Sequence, residues 1–174
     1  MWQKVIAGIL IMVGAQGFGL ALCQNMNNLQ YHLFQQKQLV RYIMEEINFV
    51  QRPISEIFEE HCERLGNPYQ SFVREVARHM NHVQGKGLYQ VWEQEILNSI
   101  KNGCYYPPQA LELLREMGRN LGGQEERLQM AMLQMLETEL EEKLAKQKKE
   151  REEKGKLIQT LSLLTGVLCI VIFL

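Results

Sequence analysis

Cysteine, proline and net charge are all sparse in this 174-residue chain. Its cysteines form no CxxC pair: Cys62 and Cys104 stand far apart in the middle, and Cys23 and Cys169 fall within apolar ends. That spacing argues against a disulfide framework and for reduced thiols in a protein facing the cytosol. A formal net charge of −1 argues against a nucleic-acid binder held by a basic field. There is no phosphate loop, no G-x-S-x-G and no kinase-like set, so an enzyme reading has no residues to stand on and no cofactor is expected. No run alternates as a strand does, which makes the middle of the chain all-α. Proline is missing altogether from Gln124 to Leu174.

That proline-free end organises the rest. Its first half carries Leu128, Met132, Leu136, Leu140 and Leu144 at i, i+4 spacing, which predicts an amphipathic helix. A charged stretch follows from Lys146 to Lys156, and then a mostly apolar run, Leu157–Leu174. As a helix that run would rise about 27 Å, close to the hydrocarbon thickness of a bilayer. Val5–Cys23 is a second apolar stretch of similar length, interrupted by Gln16. The mean hydropathy of −0.23 averages these two ends with a polar middle. The organisation expected is an N-terminal transmembrane helix over 1–23, a helical-bundle domain over 24–156 and a C-terminal transmembrane helix over 157–174.

Charge sets the expected topology. Lys146, Lys148, Lys149, Arg151, Lys154 and Lys156 crowd the second span, whereas Lys4 stands alone before the first. The positive-inside rule counts these residues and places the central domain in the cytosol. The basic run is also a candidate contact with anionic headgroups, or simply a polar helix between bundle and bilayer. Cleavage before Cys23 would instead make a lipoprotein, but the bulky Leu22 precedes that cysteine where a small residue is wanted. Ala15/Gly19, Gly17/Ala21 and Ser162/Gly166 have the small-xxx-small spacing that lets helices approach in lipid.

The middle resolves into about six helices. Leu29, Leu33, Gln36, Val40, Ile43, Ile47 and Val50 alternate by four and three, with Gln36 the single polar member. That stripe fits packing within one domain or a coiled coil between copies. Pro53 fits the first position of a short second helix burying Ile54, Ile57 and Phe58. A third helix from Tyr69 to Val83 buries Phe72, Val73, Val76 and Met80. A fourth, ending at Asn102-Gly103, carries Leu88, Val91, Trp92, Ile96 and Leu97, with Trp92 as a core anchor. A fifth runs from Gln109 to Met117, and Gly118, Leu121, Gly122 and Gly123 break the chain before the last helix.

Few side chains present themselves as a site. His79 and His82 are spaced for a metal, but the glutamate of H-E-x-x-H is missing and no ligand cluster accompanies them, so no metal is expected. Met130, Met132 and Met135 lie beside Leu133 and Leu136, filling core gaps or offering an adaptable contact to a partner. The turn Gly118–Gly123 with Glu125 and Gln129 is the candidate partner-binding or domain-orienting feature, its members being Gly118, Leu121, Gly122, Glu125 and Gln129. A regulatory or signalling membrane protein whose bundle binds a ligand or partner is the alternative. It would need a buried polar set, and none is obvious on the core faces.

Several of these segments together resemble a family. Glu46-Ile47 with Pro53-Ile54, Val91-Trp92-Glu93, Gly118 with Leu121-Gly122, and Leu163-Leu164-Thr165-Gly166-Val167-Leu168 are similar in order and spacing to stage III sporulation protein AB. Where that family has an aspartate after Leu-Gly, this chain has Glu125; Gln129 keeps the family's glutamine. The usual glycine early in the last span is replaced by Ser162 or shifted to Gly155. The resemblance implies a component of the channel complex linking mother cell and forespore in endospore-forming bacteria. It implies a cytosolic helical domain similar to those of type II secretion and type IV pilus platform proteins, next to a secretion-type ATPase and other membrane subunits. Self-association is compatible with it.

Overall fold

A computed structural model describes residues 27–47, 53–82, 87–121 and 126–173, and within the last stretch the side chains of 127–155, 157 and 160. The described residues form six α-helices and no strand. Helix α1 covers residues 27–47, α2 Ile54–His61, α3 Tyr69–His82, α4 Leu88–Lys101, α5 Pro108–Leu121 and α6 Glu126–Phe173; a 3-10 turn, Cys62–Arg64, follows α2. The chain divides into two units, Tyr31–Leu144 and the flanks Met1–Gln30 with Ala145–Leu174.

Helix α1 buries Leu33, Gln36, Val40 and Ile43 as the four-and-three alternation requires, and adds His32, Gln35 and Leu39 beside that seam. It reaches most of the unit. His32 meets Tyr69 of α3, Gln36 meets the Ala110 carbonyl of α5, and Lys37 pairs with Glu141 of α6 at 2.7 Å. Lys37 holds the Glu141 carboxyl below its ordinary pKa. Helices α2, α3, α4 and α5 pack each on the next.

Pro53 caps α2 from one residue earlier than the spacing predicts, with φ −56° and ψ 137°, and its carbonyl accepts from Glu56 and Ile57. The loop after the 3-10 turn is fastened to α1. Gln35 Oε1 accepts from the Gly66 amide at 2.7 Å, and Tyr31 donates to the Asn67 carbonyl at 2.8 Å. Helix α4 ends as expected at Asn102-Gly103. Gly103 has φ +87°, its amide bonds to the Ile100 carbonyl, and the Cys104 amide bonds to the Ser99 carbonyl. Those are the two bonds of a Schellman closure, which places glycine in the left-handed region.

Trp92 is the core anchor the sequence suggests. It is fully buried, with Phe72 edge-on at 4.8 Å, Phe58 tilted at 5.8 Å, and its indole N–H donating to the Leu114 carbonyl at 2.8 Å. Truncating a tryptophan in such a setting to alanine costs about 3–5 kcal/mol.

Three expectations need correction. Gly118 does not break α5, which continues through it to Leu121 and buries both residues. On α6 the buried seam is Leu133, Leu136 and Leu140, while Leu128 is 49% exposed. Repeated steps of four advance about 40° each around a helix of 3.6 residues per turn, so a long i, i+4 series leaves any one face. On α4, Leu97 is 45% exposed and Glu95 takes the buried place beside Ile96.

Among the described residues no helix is long and apolar enough to cross a membrane. The expected span 1–23 lies outside the described residues. Over 157–174 the backbone is helical as far as Phe173, and the side chains other than 157 and 160 lie outside them.

Candidate functional site

The turn singled out in the sequence lies between α5 and α6, and Gly122, Gly123 and Glu125 fall outside the described residues. Gly118 and Leu121 point inward and are buried. An ideal Cβ on Gly118 would meet the Trp92 indole, with Cγ at 2.6 Å and Nε1 at 2.7 Å, so glycine is what lets the ring lie on the α5 backbone. Gln129, in the second turn of α6, donates from Nε2 to the Leu121 carbonyl at 3.3 Å. That carbonyl belongs to the last turn of α5, where intrahelical donors run out. Gln129 therefore ties the start of α6 to the end of α5. Of the expected set, Gly118 seats Trp92 of α4 on α5, Leu121 and Gln129 join α5 to α6, and the surface beside them carries the exposed chemistry.

That surface is a groove between α5 and α6. Glu116 and Asn120 line one side, and Met132, Met135, Leu136 and Glu139 the other. Met135 is 74% exposed and Leu128, nearby in sequence, 49%. Large apolar side chains held open to water on one helix mark a contact surface more often than scattered ones do. The methionine cluster thus divides: Leu133 and Leu136 enter the core, and Met135 faces out.

No polar set is obvious on the core faces from sequence, and the structure contains one. Gln36 is fully buried and donates from Nε2 to the Ala110 carbonyl at 2.6 Å and to the Tyr69 hydroxyl at 2.9 Å. A carbonyl only accepts, so the amide nitrogen must face Ala110. The Tyr69 hydroxyl, accepting from Gln36, also shares a hydrogen bond with His32 Nδ1 at 3.0 Å. Burial lowers the His32 pKa from its ordinary value. Burial raises the Tyr69 pKa well above its ordinary value. It pushes Tyr106, whose ring meets both Tyr69 and His32, up to about 12. These groups satisfy one another, with Gln36 Oε1 the atom left without a partner. The one warning in sequence was Gln36 itself, the polar member of the α1 stripe.

The histidines do not converge. His82 Nδ1 turns back to the Arg78 carbonyl at 2.8 Å, whereas His79 Nδ1 lies 2.9 Å from Glu95 Oε1. His61 stacks on Tyr42 and meets Glu46 at 3.2 Å. Cys62 and Cys104 are free thiols. Of the basic run, Lys146, Lys148, Lys149, Arg151 and Lys154 are exposed, with Lys154 paired to Glu150 at 3.6 Å; the Lys156 side chain lies outside the described residues.

A family model described as stage III sporulation protein AB matches residues 4–174. Among solved structures, one of stage III sporulation protein AB aligns with a TM-score of 0.63 and 16% identity, covering 72% of this chain and 98% of that one. At that identity it attests the fold. No curated protein matches the chain.

Proposed function

The chain belongs to the stage III sporulation protein AB family, and from that premise we propose that it is a non-catalytic membrane platform of the secretion-like channel between mother cell and forespore. Membership itself gives it a role at stage III of sporulation. The platform reading adds the rest. Residues 1–23 and 157–174 lie in the bilayer, packed against other membrane subunits of the channel. The bundle faces the mother-cell cytosol and docks a secretion-type ATPase. The basic residues from Lys146 to Lys156 lie at the headgroups.

The observation that carries this reading is helix α6. It gives Leu133, Leu136 and Leu140 to the bundle core and continues without a break into the apolar run that starts at Leu157. A helix that is core at one end and mostly apolar at the other is suited to hold a cytosolic bundle at a membrane. The α5–α6 junction, tied by Gln129 to the Leu121 carbonyl, orients the open face carrying Met135 and Leu128, with Gly118 holding α5 on Trp92 of α4. That face is where the ATPase docks, by an adaptable methionine contact.

In-cell crosslinking from a photo-reactive residue at position 135, read by mass spectrometry, tests the reading. The expected neighbour is the ATPase of the same complex. Neighbours that never include it, from a protein sedimenting with membranes, would remove the docking half. Cysteine labelling in intact cells decides the other half. Residues 24–156 accessible from outside the mother cell would overturn the topology.

A further inference from the structure

We propose that Glu75, His79 and Glu95 form a divalent-metal site clasping α3 to α4, and that Zn2+ is the ion their donors suit. This site is independent of the platform reading. Glu75 and His79 are four apart and share one face of α3, and Glu95 comes across from α4. Each offers one ligand atom, and the three atoms lie within 4.8 Å of one another. An ion bonded at about 2.0–2.2 Å to nitrogen and carboxylate oxygen holds its donors roughly 3–4 Å apart, so small side-chain rotations complete the set.

The contact between His79 and Glu95 is unusual for an ion pair. Nδ1 sits 2.9 Å from Oε1, yet that nitrogen is buried and makes no hydrogen bond. The oxygen is close enough but lies off the axis along which the ring would donate. Two donors side by side, not aimed at each other, are placed as neighbouring ligands of one ion.

Glu95 supplies the energetic reason. Its carboxylate is buried at 5% exposure, where an anion needs a cation close by. Asn98 Nδ2 donates to Oε1 at 3.1 Å, supporting its orientation. On the outer side, Arg78 places both Nε and Nη2 on Glu75 Oε2, at 2.9 and 2.6 Å, and so leaves the other oxygen for a ligand role. Supporting contacts of this kind fix ligands in known metal sites. Two carboxylates and a neutral imidazole balance a divalent charge, and three protein ligands leave a fourth position for water.

The experiment uses the full-length protein in mild detergent, titrated with ZnCl2 in a calorimeter and melted with zinc or with EDTA. Wild type and His82→Gln are expected to bind zinc with equal affinity and to melt higher with it. Glu95→Gln and Glu75→Gln are expected to bind at least about tenfold more weakly, with the zinc-dependent shift in melting reduced or lost. Wild type showing neither binding heat nor a shift would overturn the site. So would Glu75→Gln and Glu95→Gln binding as wild type does, which would place zinc on other residues. Should Glu95→Gln fail to fold, Glu75→Gln decides, since its side chain lies on the exposed rim.

Discussion

The Trp92 indole rests on Gly118 with no room for a side chain between them, and its N–H reaches the Leu114 carbonyl one helical turn earlier. Glycine inside a helix normally costs about 1 kcal/mol relative to alanine. Here the sign reverses, because a methyl group would drive the ring off the α5 backbone and break its hydrogen bond. Gly118→Ala should destabilise by about 1–3 kcal/mol, read from the midpoint of denaturant unfolding. A gain in stability would mean the ring moves aside freely and does not anchor the pair.

Tyr69 joins α3 to α1 through a single hydroxyl that accepts from Gln36 and is hydrogen-bonded to His32 Nδ1. Removing it leaves both neighbours buried, each short of a bond. Tyr69→Phe keeps the ring and its packing, so the loss measures the network alone. The expected cost is about 1–3 kcal/mol, and Gln36→Leu in the same background should recover part of it by removing the stranded amide.

His32 makes stability fall on mild acidification. Burial holds its pKa below the ordinary value, so the folded protein resists the proton that the unfolded chain takes up near pH ~6.5. Above that value both states are neutral at His32 and nothing is lost. As pH drops below it, unfolding gains from protonation until the folded histidine titrates as well. The rings of Tyr31, Tyr69 and Tyr106 face it, and burial raises the pKa values of Tyr69 and Tyr106, away from this range. Unfolding followed between about pH 8 and pH 5 should show a steeper decline in wild type than in His32→Gln. Parallel curves would assign the pH dependence to groups other than His32.

Helix positions were legible because α1 to α5 each repeat apolar residues at three and four, and Gly103 marked the end of α4 unmistakably. Two things were not. Gly118 has the same composition signal as a breaker, and only the ring from α4 reveals it as a packing position. The polar core escaped because its members come from α1, α3, the segment before α5 and α5 itself, with bonded partners up to 74 residues apart. Each one alone looks like a surface residue, and their pairing exists only in three dimensions. Glu95 was hidden for the same reason, its burial depending on α3.

The groove between α5 and α6 allows the docking proposal to be separated from folding. Met135 is 74% exposed, so replacing it disturbs little of the bundle, and surface changes of this kind stay within about 0.5 kcal/mol. Met135→Asp places a charge at the centre of the open apolar face, next to Glu139, where any partner must strip its water. Glu139 itself is paired with Lys143 at 3.0 Å, so the added charge meets no free cation there from that residue. Recovery of the ATPase with the membrane complex should drop at least about tenfold, equivalent to roughly 1.4 kcal/mol. The melting temperature of the variant should match wild type. Leu133→Ala, one helical face away and fully buried, supplies the contrast: it should lower stability by about 2–5 kcal/mol. If Met135→Asp retained full recovery of the ATPase with unchanged stability, α6 would present that face to water and nothing else, and the partner would have to meet the bundle through another helix.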